Sequence, residues 1–219
     1  MPNWLRIILK DSTLSSPFTV PEASPDKALR QEMRRSVIAA RESLAAAERA
    51  RLSGLLCEQL RPLLGRLSPR NLGFCWPYRG EPDLIAFVAD WLAADAARVA
   101  ALPVVVAADA PLAFSAWRPG AEMAADAFGI PVPSQFESVD PDVVLVPLNA
   151  FDAAGYRLGY GGGFFDRTLA ARSPAPISVG VGFELGRVDS IRPEPHDMPL
   201  DWIVTESGAF GPFRGKNGI

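Results

Sequence analysis

Residues 141–169 constrain the fold more than any other part of the chain. They open on an apolar, β-branched run, Val143 to Val146, which reads as a buried strand. A loop with five glycines follows: Gly155, Gly159, Gly161, Gly162 and Gly163. The stretch closes on Phe164-Phe165-Asp166-Arg167, which reads as the first turn of a helix. Strand, glycine loop and helix start, in that order, turn bare backbone N–H groups and a helix dipole toward an anion. An ordinary flexible hairpin tip would not need three consecutive glycines beside an arginine and an acid.

The chain before this stretch begins, in this reading, with a loosely ordered extension over residues 1–23. A helix follows from Pro25 to near Glu42, with Ser24 as N-cap and Pro25 at the first helical position. Leu29, Met33, Val37 and Ala40 form its apolar stripe. Lys27, Arg30, Arg34 and Arg41 lie close to a second, basic stripe, which alone would read as a solvated face. Ser43 caps a second helix, Leu44 to about Leu64. The spacing predicts a strand over 71–76, a helix over 84–97 and a strand over 101–106. Residues 111–117 suggest a further strand, and Phe128 to Pro133 an extended, proline-bound wall. After the central stretch come a helix over 164–172, a strand over 178–183, a polar loop over 193–199 and a final strand over 202–205. Residues 207–219 read as a tail that frays.

Strands alternating with helices argue for an α/β fold with a mainly parallel central sheet flanked by helices, one compact domain over 24–206. In such sheets ligands sit at the carboxyl ends of strands. The turn at 77–83, the glycine loop and the loop at 193–199 all follow or flank strands and can meet at one mouth. A net charge of −3 argues against a generic nucleic-acid binder. No run reaches the length of a membrane span. Cys57 and Cys75 stand singly, so neither a zinc site nor a disulfide scaffold is expected, and the cytoplasm is the natural compartment. The single histidine, His196, excludes a histidine-rich metal site.

The glycine loop is neither a Walker A loop, for lack of Gly-Lys-Ser/Thr, nor a dinucleotide fingerprint, whose third glycine would fall on Phe164. It offers phosphate chemistry differently. Arg157 supplies a bidentate cation and Gly161 to Gly163 supply backbone donors. Asp166 suits either a magnesium ion or the dipole of its own helix. Asp197 is either a second carboxylate ligand or a turn former between prolines. Trp76 with Glu81 can read a flat heteroaromatic ligand by stacking and by accepting from ring N–H groups, or serve as a core Trp beside an exposed Glu.

Arg157 to Arg167, preceded by Val146-Pro147-Leu148 and Phe151-Asp152, resembles the signature of the 5-formyltetrahydrofolate cyclo-ligase family. The early basic helix, Gly129 to Pro133 and the late His196-Asp197 followed by Asp201 fall in the family's order, so the likeness covers roughly residues 25–206. The resemblance implies an α/β fold and an ATP- and Mg²⁺-dependent ligase that converts 5-formyltetrahydrofolate to 5,10-methenyltetrahydrofolate with release of ADP and phosphate. By that resemblance Lys27, Arg30, Arg157 and the backbone of Gly159, Gly161, Gly162, Gly163, Phe164 and Phe165 would cradle ATP. Arg157 and Asp166 would carry the catalysis, and Asp166 and Asp197 would hold magnesium. Trp76, Glu81, Tyr160 and Phe164 would face the folate. The implied partners are small molecules alone, with no nucleic acid and no membrane. Three departures stand out: Lys27 lies three rather than four residues before Arg30, Phe164-Phe165 replaces a pair that commonly includes Tyr, and residues 76–81 look divergent.

Overall fold

The computed structural model describes residues 25–213. The extension over 1–23 and the tail beyond 213 lie outside the described residues. Two helices open the fold, α1 (Pro25–Ser43) and α2 (Ala46–Leu67). Then come β1 (Asn71–Gly73), α3 (Ile85–Ala93), β2 (Val99–Val104), β3 (Ala113–Trp117), β4 (Met123–Ala125) and β5 (Pro131–Pro133). β6 (Val143–Pro147), β7 (Ala150–Phe151), β8 (Arg157–Leu158) and α4 (Phe164–Ala171) form the central stretch. β9 (Ile177–Val181), β10 (Trp202–Thr205) and β11 (Gly208–Phe210) complete the chain.

The main sheet has seven strands in the order β11-β10-β9-β6-β1-β2-β3. The five inner strands pair in parallel, and each edge strand pairs antiparallel. The expected mainly parallel α/β fold is therefore what the chain adopts. β6 shows why its sequence is a continuous apolar run. Val143 and Leu145 join a core built with Leu56, Leu60 and Leu63 of α2 and Phe87, Val88 and Trp91 of α3. Val144 and Val146 point the other way, into a core with Leu169 of α4, Leu148 and Phe151. A strand covered on both faces has no side left for polar alternation. α1 packs elsewhere, through Val37 against Ala150, Leu158 and Ile191.

Some expectations are corrected locally. α1 runs through Ser43, whose hydroxyl donates to the Ala40 carbonyl instead of capping the next helix. α2 starts after Ala45 with no side-chain cap, and continues past Pro62 to Leu67. The tail does not fray at once: residues 208–210 form β11, paired with β10. Phe213 then packs beside Gly155, against the core face that carries α4. The physical reason is that β10 would otherwise leave an open edge, which the chain's own next segment closes.

Residues 150–158 are a hairpin rather than open loop, β7 against β8. Asp152 pins it, its Oδ1 accepting from the Ala154 and Tyr156 N–H groups and its Oδ2 from Ile191 N–H. The flexible glycine segment is thereby reduced to residues 159–163, delivered from a fixed strand end.

Candidate active site

The parallel strands β1, β2 and β6 end at Gly73, Val104 and Pro147. The chain leaving those ends helps wall a cleft of about 740 Å³. Every site residue expected from the sequence lies on its lining: Lys27, Arg30, Trp76, Glu81, Arg157, residues 159–166 and Asp197.

At one end the cleft is cationic. Arg30 is only 5% exposed, and α1 presents it with Lys27 and Arg34 one turn to either side. Arg30 donates to Asp197 through two nitrogens, NH1 to Oδ2 at 2.6 Å and NH2 to Oδ1 at 3.0 Å. Asp197 Oδ2 also accepts from the Glu194 N–H at 2.7 Å. Burial works against this carboxylate's charge, but the Arg30 hydrogen bonds and the Glu194 N–H outweigh it and hold its pKa below the ordinary value. Arg34 donates from Nε to the Gly159 carbonyl at 2.9 Å. Burial, and then the neighbouring Arg30, pull the Arg34 pKa below its usual value. Arg30 has its counter-charge in Asp197, whereas Arg34, desolvated beside a second guanidinium, is the cation that a further anion relieves.

The glycine loop faces this cluster. Gly163 is the N-cap of α4 with φ 65°, and no side chain caps the helix. Its first N–H groups are thus left for a ligand or water. Arg167 fixes the loop from behind, NH2 donating to the carbonyls of Gly162 at 2.8 Å and Ala108 at 3.0 Å, with the guanidinium 5.0 Å over the Phe164 ring. Asp166 does not cap its helix. Its Oδ1 accepts from Arg157 NH1 at 3.1 Å and from Met198 N–H at 3.0 Å.

The other end is aromatic and acidic. Trp76 stands edge-on to Trp117 at 6.4 Å. Glu81 is buried, its Oε1 accepting from the Tyr160 hydroxyl at 2.8 Å and its Oε2 from Tyr78 N–H at 3.0 Å. Burial raises its pKa, against the opposing pull of Arg41. Arg41 is about 16 Å from Arg30 along α1, at a rise of 1.5 Å per residue. One helix therefore places cations on the lining at one end of the cleft and behind the Glu81 and Tyr160 wall at the other.

As a magnesium site the residues fit in part. Among the described residues no group of three His, Cys, Asp or Glu side chains is gathered to hold an ion. Asp166 keeps Oδ2 outside its hydrogen bonds, whereas both oxygens of Asp197 are engaged. One carboxylate plus phosphate oxygens and waters is an ordinary environment for Mg²⁺. His196 also lines the cleft, exposed, 3.5 Å from Glu194. Sequence reasoning left Arg34, Arg41 and Arg167 outside the site. The i, i+4 spacing from Arg30 was a usable signal for Arg34; Arg41 was marked only by its place on the basic stripe, and Arg167 only by closing the glycine-loop stretch.

Fold and cleft together define a class, α/β proteins that hold an anionic small molecule where a parallel sheet's strands end. Comparisons with known proteins narrow it. The pattern of the 5-formyltetrahydrofolate cyclo-ligase family matches residues 26–206. A 5-formyltetrahydrofolate cyclo-ligase of Mycolicibacterium smegmatis is 38% identical over 189 residues, covering 81% of this chain and 90% of the relative. One from Haemophilus influenzae is 28% identical over 179 residues, covering 78% and 94%. The NMR structure of Aquifex aeolicus 5,10-methenyltetrahydrofolate synthetase superposes with a TM-score of 0.73 at 29% identity, covering 87% of this chain and 96% of that one. The chain belongs to the 5-formyltetrahydrofolate cyclo-ligase family and is a ligase.

Proposed function

We propose that the protein converts 5-formyltetrahydrofolate to 5,10-methenyltetrahydrofolate using ATP and Mg²⁺, with release of ADP and phosphate. The observation that carries this reading is the division of one cleft into a cationic, amide-lined end and an aromatic end with a buried carboxylate. Lys27, Arg30 and Arg34 bind the nucleotide's phosphates together with the amides of residues 159–165. Trp76 stacks on the pterin, Glu81 accepts from its N–H groups, and Tyr160 and Phe164 flank the rest of the folate. The formyl oxygen attacks the γ-phosphorus, the bond to ADP breaks, and an iminium phosphate forms. N10 then attacks the former formyl carbon, its proton passes to solvent, and phosphate leaves with the oxygen.

This chemistry needs charge neutralisation and alignment more than a strong base. Asp166, held by Arg157, provides the carboxylate ligand for magnesium, and Asp197 serves by orienting Arg30. Magnesium, when bound, neutralises charge building on the transferring phosphoryl group. Protein mixed with 5-formyltetrahydrofolate, ATP and Mg²⁺ is expected to generate the absorbance of the methenyl product. Folate binding without turnover would instead indicate a non-catalytic binder, and ATP consumption only with another metabolite a different phosphotransferase.

A further inference from the structure

We propose that Arg41 is a positioning residue for substrate recognition, holding the Glu81 carboxylate as an anionic acceptor both directly and through the Tyr160 hydroxyl. The proposal rests on the folate reading of the Glu81 end of the cleft. Arg41 is 2% exposed. Two of its donors are spent on fixed acceptors: Nε on the Arg79 carbonyl at 3.0 Å and NH1 on Asn149 Oδ1 at 3.0 Å. These fix the plane of the guanidinium. NH2 is thereby aimed at the Tyr160 hydroxyl, 2.8 Å away, and lies 4.0 Å from Glu81 Oε1.

Donor and acceptor roles in this chain follow from the groups themselves. A guanidinium can only donate, so the Tyr160 oxygen accepts from Arg41 and its own proton goes to Glu81 Oε1. Tyr78 N–H is likewise donor-only and occupies Glu81 Oε2. Glu81 thus accepts on both oxygens, which suits the carboxylate and not the protonated acid. Each oxygen keeps a second lone pair. A heterocycle with an N–H beside an amino group can use both at once.

Burial is the largest influence on Glu81 and raises its pKa even with Arg41 in place; Arg41 is the strongest of the groups that oppose it, so its loss would raise the pKa further. Other groups facing Glu81 do not replace it. Cys75 is half-buried on the cleft lining, its thiol pushed well above the ordinary range by desolvation and then by Glu81 itself. Arg79, on Glu81's own segment, turns outward to pair with Glu42. Arg49 of α2 spends its guanidinium on the Leu44 carbonyl. Among the described residues, Arg41 is the cation within ion-pair distance of Glu81.

Binding of 5-formyltetrahydrofolate, followed by tryptophan fluorescence between pH 6 and 9, tests the assignment in the full chain. The wild type is expected to bind with little pH dependence. Arg41→Met is expected to bind at least tenfold more weakly at pH 7 and to recover toward wild type at pH 9, as Glu81 ionises. Arg41→Lys should fall between the two. In a Glu81→Gln background, Arg41→Met should add no pH dependence. A weakening that is equal at every pH, or none, would overturn the proposal. Should Arg41→Met fail to fold, Tyr160→Phe keeps the cation and removes the relay. It should shift the profile in the same direction but less, and a flat profile would count equally against the idea. If the wild type binds no folate at any pH, the folate reading itself fails instead.

Discussion

Arg30 and Asp197 stand 167 positions apart in the chain and close into a two-pronged pair at 2.6 and 3.0 Å. Arg30 donates a further bond to the Arg192 carbonyl at 2.8 Å. The first helix is thereby tied to the segment that leads into β10. The same contact holds a guanidinium on the cleft lining and tethers one of its walls, so stability and the proposed phosphate site share it.

Asp197→Ala is expected to cost about 2–3 kcal/mol, the upper range for hydrogen bonds to charged groups, because Arg30 is left without its counter-charge among other cations. Urea denaturation measures this. Asp197 has its pKa depressed in the folded protein, so its contribution is fully present above the unfolded value near 3.9. It is lost as pH falls through the lower, folded value. The stability difference between wild type and Asp197→Ala should therefore hold constant from pH 5 to 8 and shrink below about pH 4.

Asp166 is held by Arg157 NH1 and Met198 N–H on one oxygen only, which leaves the other as the oxygen for the proposed metal. Asp166→Ala is expected to fold and to lower kcat by about 10²–10³-fold, the scale of losing one electrostatic partner of the transition state. Raising Mg²⁺ should restore little of the rate. A near-normal rate in steady-state assays would remove Asp166 from the metal site.

The sheet, its helices and the glycine loop before α4 were legible because they are written locally. β6 is apolar at every position, and Gly159 to Gly163 precede a helix start. What was missed depends on partners far away in the chain. Arg41 reads as one more charge on a basic stripe until Asn149 and Tyr160, 108 and 119 positions on, meet it in space. β11 has a glycine start and little burial, so only its pairing with β10 marks it as a strand. Asp197, taken alone, reads as a turn former sooner than as a ligand, because its partner lies at the other end of the sequence.

Neither cysteine should behave as a reactive thiol. Burial pushes Cys57 up to about 11 and Cys75 well above the ordinary range, although Cys75 lies on the cleft wall. At pH 7.5 the thiolate fraction of each is then very small, and the thiolate is the reacting form. In a maleimide titration, native protein is expected to label slowly at both positions and denatured protein fast at both. Rapid native labelling of Cys75 would show that the cleft floor is wetter than its packing implies.

Gly163 carries the turn from loop to α4 with φ 65°, a conformation that costs other residues about 1–2 kcal/mol. A Cβ there would also stand 2.8 Å from Arg167 NH1, on the guanidinium whose NH2 steadies Gly162. That long side chain can move, but only by loosening its bonds to the Gly162 and Ala108 carbonyls. Gly163→Ala is therefore expected to lower stability by about 1–2 kcal/mol, chiefly through backbone strain. The loop's amides would turn away from the α4 axis, so nucleotide affinity should fall more than folate affinity. Gly159→Ala is the control, since a Cβ there meets nothing within 4 Å and its φ is ordinary. Thermal melts and nucleotide titrations of both variants check this. Equal effects at the two positions would mean that the loop does not depend on the left-handed geometry of Gly163.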